Sequence, residues 1–454
     1  MRTIGLIVKW GLLVLIVAVV GFAGWLYFAP PELVRLGTAY TAKVVCSSTF
    51  LAGRDGQEVL GVDVQSPGHP LLGYVSVDVD EEAGAATAHL LGFFAPAVAI
   101  HREGFGCSSM PEGVEATVEL PDQSALPARN MTAQWPIGER VRGENPEIAA
   151  ILANDALAGP GMRAMVVVQG GRIVAERYAS GFSAESPLLG WSMTKTVTAA
   201  IVGTLIRDGR LALDQDGLRE FWANDARSEI TLADLMAMSS GLEFNEDYGD
   251  VTDVTRMLYF EPDMAGFAAD KELAAPPGER FSYSSGTSLL VSRIWQDVFS
   301  DPADALRWPG EALFRPLGMT SAIIETDANG TFVGSSYLYA TARDWARFGL
   351  FLARDGRWLG RRILPDGFVA WMREPSPASD GQYGNGHVWL RGPGNADDNV
   401  DLPEDTSWML GHDGQTTTII PSLDLVVVRL GLTPSRLAYR PQRMVALIAE
   451  AVRD

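Results

Sequence analysis

Gly190-Trp191-Ser192-Met193-Thr194-Lys195-Thr196, followed at once by Val197-Thr198-Ala199-Ala200-Ile201-Val202-Gly203-Thr204-Leu205-Ile206-Arg207, is the stretch on which the reading of this chain turns. Val197, Ile201, Leu205 and Ile206 recur at helical spacing, which predicts a helix over Thr196–Arg207. Ser192 then lies at a helix N-terminus, where unpaired N–H groups and the helix dipole favour developing negative charge. Lys195 is three residues further on, so the two side chains share a face. A serine hydroxyl at its ordinary pKa is a poor nucleophile. A neighbouring lysine, held neutral by desolvation or by a second cation, can take its proton. The same spacing also fits a plain N-cap serine followed by a surface lysine, and alone it does not choose between them.

Two later segments do. Phe281-Ser282-Tyr283-Ser284-Ser285-Gly286 precedes a second helical pattern, Thr287–Val298. A tyrosine there is suited to pass a proton to a leaving group, with Ser285 hydrogen-bonding nearby. Gly411-His412-Asp413-Gly414-Gln415 lies between two strand-like runs, where glycine lets substrate approach the backbone. The N–H groups of Ser192 and Gln415 could together form an oxyanion hole.

Taken in order, Ser-x-x-Lys, Tyr-x-Ser and His-x-Gly resemble the serine β-lactamase and penicillin-binding protein superfamily. Within it the chain looks most like the class C-like branch: family VIII esterases and 6-aminohexanoate-dimer hydrolases. The resemblance spans residues 145–450. It is carried further by Met238-Ser239-Ser240-Gly241-Leu242, by Phe314-Arg315-Pro316-Leu317-Gly318-Met319 and by Ala340-Thr341-Ala342-Arg343-Asp344-Trp345-Ala346-Arg347-Phe348-Gly349. It implies that Ser192 is the acylated nucleophile, Lys195 its base and Tyr283 a second acid/base. It also implies an oxyanion hole at the amides of Ser192 and Gln415, and substrate contacts from Trp191, Ser285, His412, Asp413 and Gly414.

Two departures bear on substrate. Tyr283-Ser284-Ser285 stands where lactamases of this branch carry Tyr-x-Asn, and His412-Asp413-Gly414 where they carry Lys-Thr-Gly. A histidine grips a carboxylate only weakly near neutral pH, so esters or amides are expected over β-lactams. In nylon-oligomer hydrolases a loop like Glu243–Asp250 closes over substrate with a tyrosine, which Tyr248 would match. The plain alternative is a solvated acidic loop. His387 is expected near the strands, lining the cleft, whereas His69, His89 and His101 read as ordinary.

Outward from this centre, Met165–Val168 and Ile173–Tyr178 form a hairpin around Gly170-Gly171. Ser407–Leu410, Thr416–Ile420 and Leu425–Leu430 supply further strands, and Pro441–Val452 a closing helix. Helical patterns fill the middle, including Thr231–Met238 and Ala342–Arg354. Strands from both ends with helices between predict an α+β, β-lactamase/transpeptidase-like domain over residues 141–454: one antiparallel sheet with an inserted helical lobe. A Pro-bearing linker is expected over 121–140. Before it, residues 38–120 read as a small β-rich module, with alternation in Leu72–Val79 and Val114–Leu120.

Residues 1–30 form their own segment, with no charge from Trp10 to Ala29. Twenty such residues in a helix span about 30 Å, the thickness of a hydrocarbon core. Arg2 and Lys9 precede the run and favour a cytoplasmic N-terminus. A single-pass anchor with the catalytic domain on the periplasmic or extracellular side is expected, a cleaved signal peptide being the alternative. Outside the cytoplasm, Cys46 and Cys107 are expected to pair, the alternative being buried free thiols. Neither a Cys/His cluster with metal spacing nor a cofactor motif occurs. The net charge of −20 over 454 residues argues against a nucleic-acid partner. Three functions therefore compete: a hydrolase of small esters or amides, a cell-wall DD-peptidase or β-lactamase, and a catalytically silent binding protein. The sequence sets no oligomeric state.

Overall fold

The computed structural model describes residues 2–111, 113–114, 120–121, 128–394, 398 and 401–453. The chain forms two compact units. The first comprises Met1–His101, Cys107–Glu115 and Asp247–Phe260. It begins with α1 (Arg2–Phe28), whose segment Leu6–Phe28 is long and apolar enough to cross a membrane. Pro30 and Pro31 interrupt the helical path, and α2 (Glu32–Phe50) follows.

The module was expected to be β-rich from residue 38, yet residues 32–50 are helical. Ala42, Val45 and Cys46 share the helix face packed on the sheet, and this 3–4 residue spacing is the signal that the strand reading missed. The sheet itself is an antiparallel meander of β1 (Val75–Asp80), β2 (Ala85–Leu90), β3 (Phe94–Arg102) and β4 (Gly106–Met110). Pro70–Tyr74 is a 3-10 turn, so the expected strand at Leu72–Val79 starts only at Val75. Of the expected strand Val114–Leu120, residues 115–119 lie outside the described residues.

A disulfide joins Cys46 on α2 to Cys107 on β4, both fully buried. It closes a loop with a sequence separation of 61, worth about 4 kcal/mol in the chain-entropy model. Replacing both cysteines by alanine should lower the stability of this unit by about that amount, read as a lower denaturant midpoint with a somewhat steeper slope, because the unlinked chain unfolds to a more expanded state.

A helix from far along the chain, Asp253–Phe260, also belongs to this unit and packs on α2. Tyr40 and Tyr259 meet edge-on at 5.7 Å, and Arg256 pairs with Glu32 at 2.8 Å. Nothing local in the sequence marks that partnership across more than two hundred positions.

The second unit comprises Arg102–Gly106, Ala116–Glu246 and Glu261–Asp454. Its sheet has five antiparallel strands: β5 (Met162–Gln169), β6 (Arg172–Tyr178), β7 (Ser407–Gly411), β8 (Gln415–Ile420) and β9 (Leu425–Gly431). Their spatial order is β7-β8-β9-β5-β6, so β9 from the C-terminal end pairs with β5 from the beginning. The sheet is built from both ends of the domain, as expected.

Because successive strand residues face opposite sides, the run Val426-Val427-Val428 serves two layers. Val427 and its partner Val167 join Ile148, Leu152, Met444, Val445 and Ile448 of α3 (Pro146–Ala153) and the C-terminal helix Gln442–Ala451. On the other face Val426 meets the helix Ala342–Ala353 at Gly349, where a Cβ would come within 2.5 Å of Val426. Helices α4 (Thr194–Arg207) and α5 (Ser285–Asp297) form the buried centre of the helical lobe.

The framing motif 340–349 has a structural role throughout. Thr341 caps its helix, accepting from Asp344 N. Arg347 binds Asp344 and Glu139 and donates to the carbonyls of Pro136 and Gly138, while Arg343 binds Glu139 and Glu176. Residues 135–140, expected as linker, are thereby fixed to the catalytic unit. Glu139→Ala would leave two guanidinium groups under-paired in a buried setting, and a loss of about 3 kcal/mol in thermal or denaturant unfolding is expected.

Candidate active site

Ser192 sits on a 3-10 turn, Trp191–Met193, which runs directly into α4. Trp191 has φ 49°, left-handed backbone that a bulky residue rarely adopts. Gly190 is required beside it, since a Cβ there would fall 2.1 Å from the Trp345 ring. The strained turn thus rests on the framing helix, and its hydroxyl stays partly accessible while its neighbours are buried.

Lys195, on the first turn of α4, is 1% exposed. Its Nζ lies 3.2 Å from Ser192 Oγ, 3.0 Å from Ser285 Oγ and 3.0 Å from the carbonyl oxygen of Ser335. Burial brings its pKa down to about 8, against an opposing pull from the Glu246 carboxylate. Tyr283 stacks under the same ammonium, 4.7 Å from Nζ to the ring centroid, and its ring is walled by Tyr383 and Trp389. Burial raises the Tyr283 pKa, helped by Glu246 and opposed by hydrogen bonding with Ser192 and Trp389. The phenol therefore stays protonated.

The three residues of Tyr283-Ser284-Ser285 divide their work. Ser284 caps α5, accepting from Thr287 N at 3.0 Å. Ser285, expected to contact substrate, is fully buried and turned to Glu246 instead. Its N–H donates to Oε2 at 2.7 Å and its hydroxyl to Oε1 at 2.5 Å.

Glu246 is the residue that sequence reasoning missed. It lies in the same acidic loop as Tyr248, and no local pattern separates it from Glu243 or Asp247. Its carboxylate has a specific effect on Lys195. With the Ser285 proton committed to Glu246, Ser285 Oγ can only accept from Lys195, as the Ser335 carbonyl must. Were the amine neutral, its two N–H bonds could go to these acceptors and leave its lone pair for Ser192 Oγ.

His387 is corrected outright. It is 1% exposed, with Nδ1 3.2 Å from Lys195 O and Nε2 3.3 Å from Leu235 O. Burial, then the Lys195 charge, lowers its pKa to about 4, so it is a neutral brace behind α4 and does not line the cleft. Tyr248 belongs to the first unit and is half-buried there.

The turn His412-Asp413-Gly414 joins β7 to β8, with Asp413 and Gly414 in left-handed backbone. His412 lies edge-on to Trp191 at 5.6 Å, and its Nε2 is 3.5 Å from Asp413 Oδ1. Arg429 holds the turn from behind, Nη1 donating to Gly414 O at 2.9 Å. The Gln415 side chain is bound into the sheet end, accepting from Gly431 N at 2.8 Å. Gly411 packs so close to Gly190 that a Cβ there would lie 2.2 Å from Gly190 O, so this strand end borders the Ser192 turn. Among the described residues no group of three or more His, Cys, Asp or Glu side chains could hold a metal.

A serine on a strained turn, a buried lysine and a tyrosine on this sheet-and-lobe scaffold fit a β-lactamase-fold serine hydrolase. The chain belongs to the beta-lactamase family, whose family model matches residues 152–443. It is 25% identical to the 6-aminohexanoate-dimer hydrolase of Paenarthrobacter ureafaciens over 300 residues, 60% of this chain and 72% of that one. A family VIII carboxylesterase structure has the same fold, with a TM-score of 0.53 at 16% identity over 69% of this chain and 99% of that one. A penicillin-binding protein of Bacillus halodurans is similar at a TM-score of 0.51, 16% identity, and 67% and 99% coverage.

Proposed function

We propose that the protein hydrolyses esters or amides of small substrates through an acyl group carried on Ser192 Oγ. The observation that carries this reading is the buried Lys195 Nζ, 3.2 Å from Ser192 Oγ and held by Ser285 Oγ and the Ser335 carbonyl. Ser192 Oγ attacks the carbonyl carbon as its proton moves to Lys195 Nζ. The oxyanion is met by the N–H groups of Ser192 and Gln415. Tyr283 gives its proton to the departing oxygen or nitrogen and regains one from Lys195. Water then attacks the acyl carbonyl by the reverse path. A cavity of about 350 Å³ bordered by Glu243, Glu246, Arg280 and Ser282 shares Glu246 with this site, but Ser192, Lys195 and Tyr283 do not line it.

The 6-aminohexanoate-dimer hydrolase relative supports an amide, and the carboxylesterase fold an ester. Tyr283 separates the two. An amine leaving group must be protonated and a p-nitrophenolate need not be. Tyr283→Phe should therefore slow an amide about 100-fold or more and a p-nitrophenyl ester about 10-fold or less. Equal losses on both would remove Tyr283 from the leaving-group step.

Glu246 acts in this scheme as a positioning residue. Glu246→Gln should lower kcat about 10-fold or more at nearly constant KM. A rise in KM alone would make it a substrate contact. A β-lactamase or DD-peptidase role is disfavoured, because His412 paired to Asp413 stands where a lysine would grip a carboxylate. Little nitrocefin turnover beside rapid ester turnover is the expected result. A silent binding role would require that acylating probes leave Ser192 unmodified.

We also read α1 as a retained single-pass anchor, with the catalytic unit on the periplasmic or extracellular side. Its last turn supports retention. Leu26 is 7% exposed and, with Ala23, packs into the core shared by Leu60, Leu72 and Phe94. Cleavage after the helix would open that core to water.

A further inference from the structure

The first unit carries an apolar surface with no role in the catalytic scheme. Leu71, Tyr74, Leu91 and Phe93 are 40%, 63%, 54% and 58% exposed. They form one rim. Leu71 and Tyr74 share the 3-10 turn before β1, Leu91 N donates to Tyr74 O at 2.9 Å, and Phe93 follows two residues later, its ring 4.1 Å from Phe94. Leu91 forms the tip of the β2–β3 turn at φ 51°, a backbone state normally left to Gly or Asn. A large apolar side chain is therefore displayed at a place where local conformation favours a small or polar one.

The position of the rim identifies its partner. Leu72, in the same turn, lies against the start of α2, where a Cβ on Gly37 would come within 3.1 Å of Leu72 Cδ2. Gly37 is five residues into α2, about 8 Å along its axis, and α2 starts only three residues after α1 ends. Leu26 of α1 shares a core with Leu72 and Phe94. The rim is thus at the end of the module next to the membrane-crossing helix. The opposite end of the same hairpin is acidic: Asp78, Asp80, Glu81 and Glu82 are all exposed around the β1–β2 turn. The six residues of β1 separate the two ends by about 20 Å.

We propose that Leu71, Tyr74, Leu91 and Phe93 sit in the interfacial zone of the lipid bilayer, seating the module on the membrane surface. Large apolar and aromatic side chains are stabilised at the headgroup level, and an acidic far end is kept in water. This rests on the reading of α1 as a retained anchor, and the test separates the two. The full chain is reconstituted in phosphatidylcholine nanodiscs with a single fluorophore at Phe93→Cys, Glu82→Cys or Val17→Cys, the buried disulfide staying intact. Lipids spin-labelled near the headgroup should quench the Phe93 label about threefold or more over the Glu82 label. Lipids spin-labelled deep in the chain should quench the Val17 label. If the Val17 label escapes quenching, the anchor reading fails. Equal lipid quenching at Phe93 and Glu82, with Val17 quenched, overturns the rim alone. A Phe93 label shielded from aqueous iodide yet untouched by spin-labelled lipid overturns it too, and assigns the rim to a protein or a second copy of the chain.

Discussion

Ser192→Ala is expected to lower kcat for p-nitrophenyl esters by about 10⁴-fold or more, because removal of a nucleophile takes the base and acid out of use with it. The variant should also lose the single covalent mass that a fluorophosphonate adds to the parent chain. Its fold should be unaffected, since the hydroxyl meets only Lys195 and Tyr283 among the contacts described. Labelling of another residue, or turnover that survives the substitution, would defeat the mechanism.

Lys195→Ala should cost about 10³-fold in kcat, within the range for a lost general base, with a much smaller change in KM. The same residue predicts a pH profile. A base must be neutral to act, and burial holds this amine at about 8. kcat/KM should therefore climb as pH rises through about 8 and level off above it. The Glu246 carboxylate favours the ammonium form, so its removal has a definite sign: Glu246→Gln should move the rising limb to lower pH even as the plateau falls. A limb that moves upward, or stays in place, would separate Glu246 from Lys195.

Much of this was legible before any coordinates. Ser192 and Lys195 are three residues apart, so the helix period alone brings them together, and apolar runs flanking Gly-bearing turns located the five strands of the catalytic sheet. What escaped was set by distant contact. Ser285 looked like a substrate residue because its family position implies one, while its actual partner Glu246 lies 39 positions earlier in a loop without periodicity. His387 looked available because nothing local says that the carbonyls of Lys195 and Leu235 will enclose it. Arg429 passed as an ordinary strand residue, although it holds the Gly414 carbonyl. Spacing predicts neighbours along one element, and it is silent on groups brought together by different ones.

The helix Asp253–Phe260 carries a practical consequence. It is encoded within the catalytic sequence but belongs to the first unit, and it begins seven residues after Glu246. The module is therefore not a detachable leader. Trimming the protein back to its family-matched region would strip Tyr259 of Tyr40 and Arg256 of Glu32, and leave that helix in the chain without its partner. A shortened version will need that internal helix redesigned or excised.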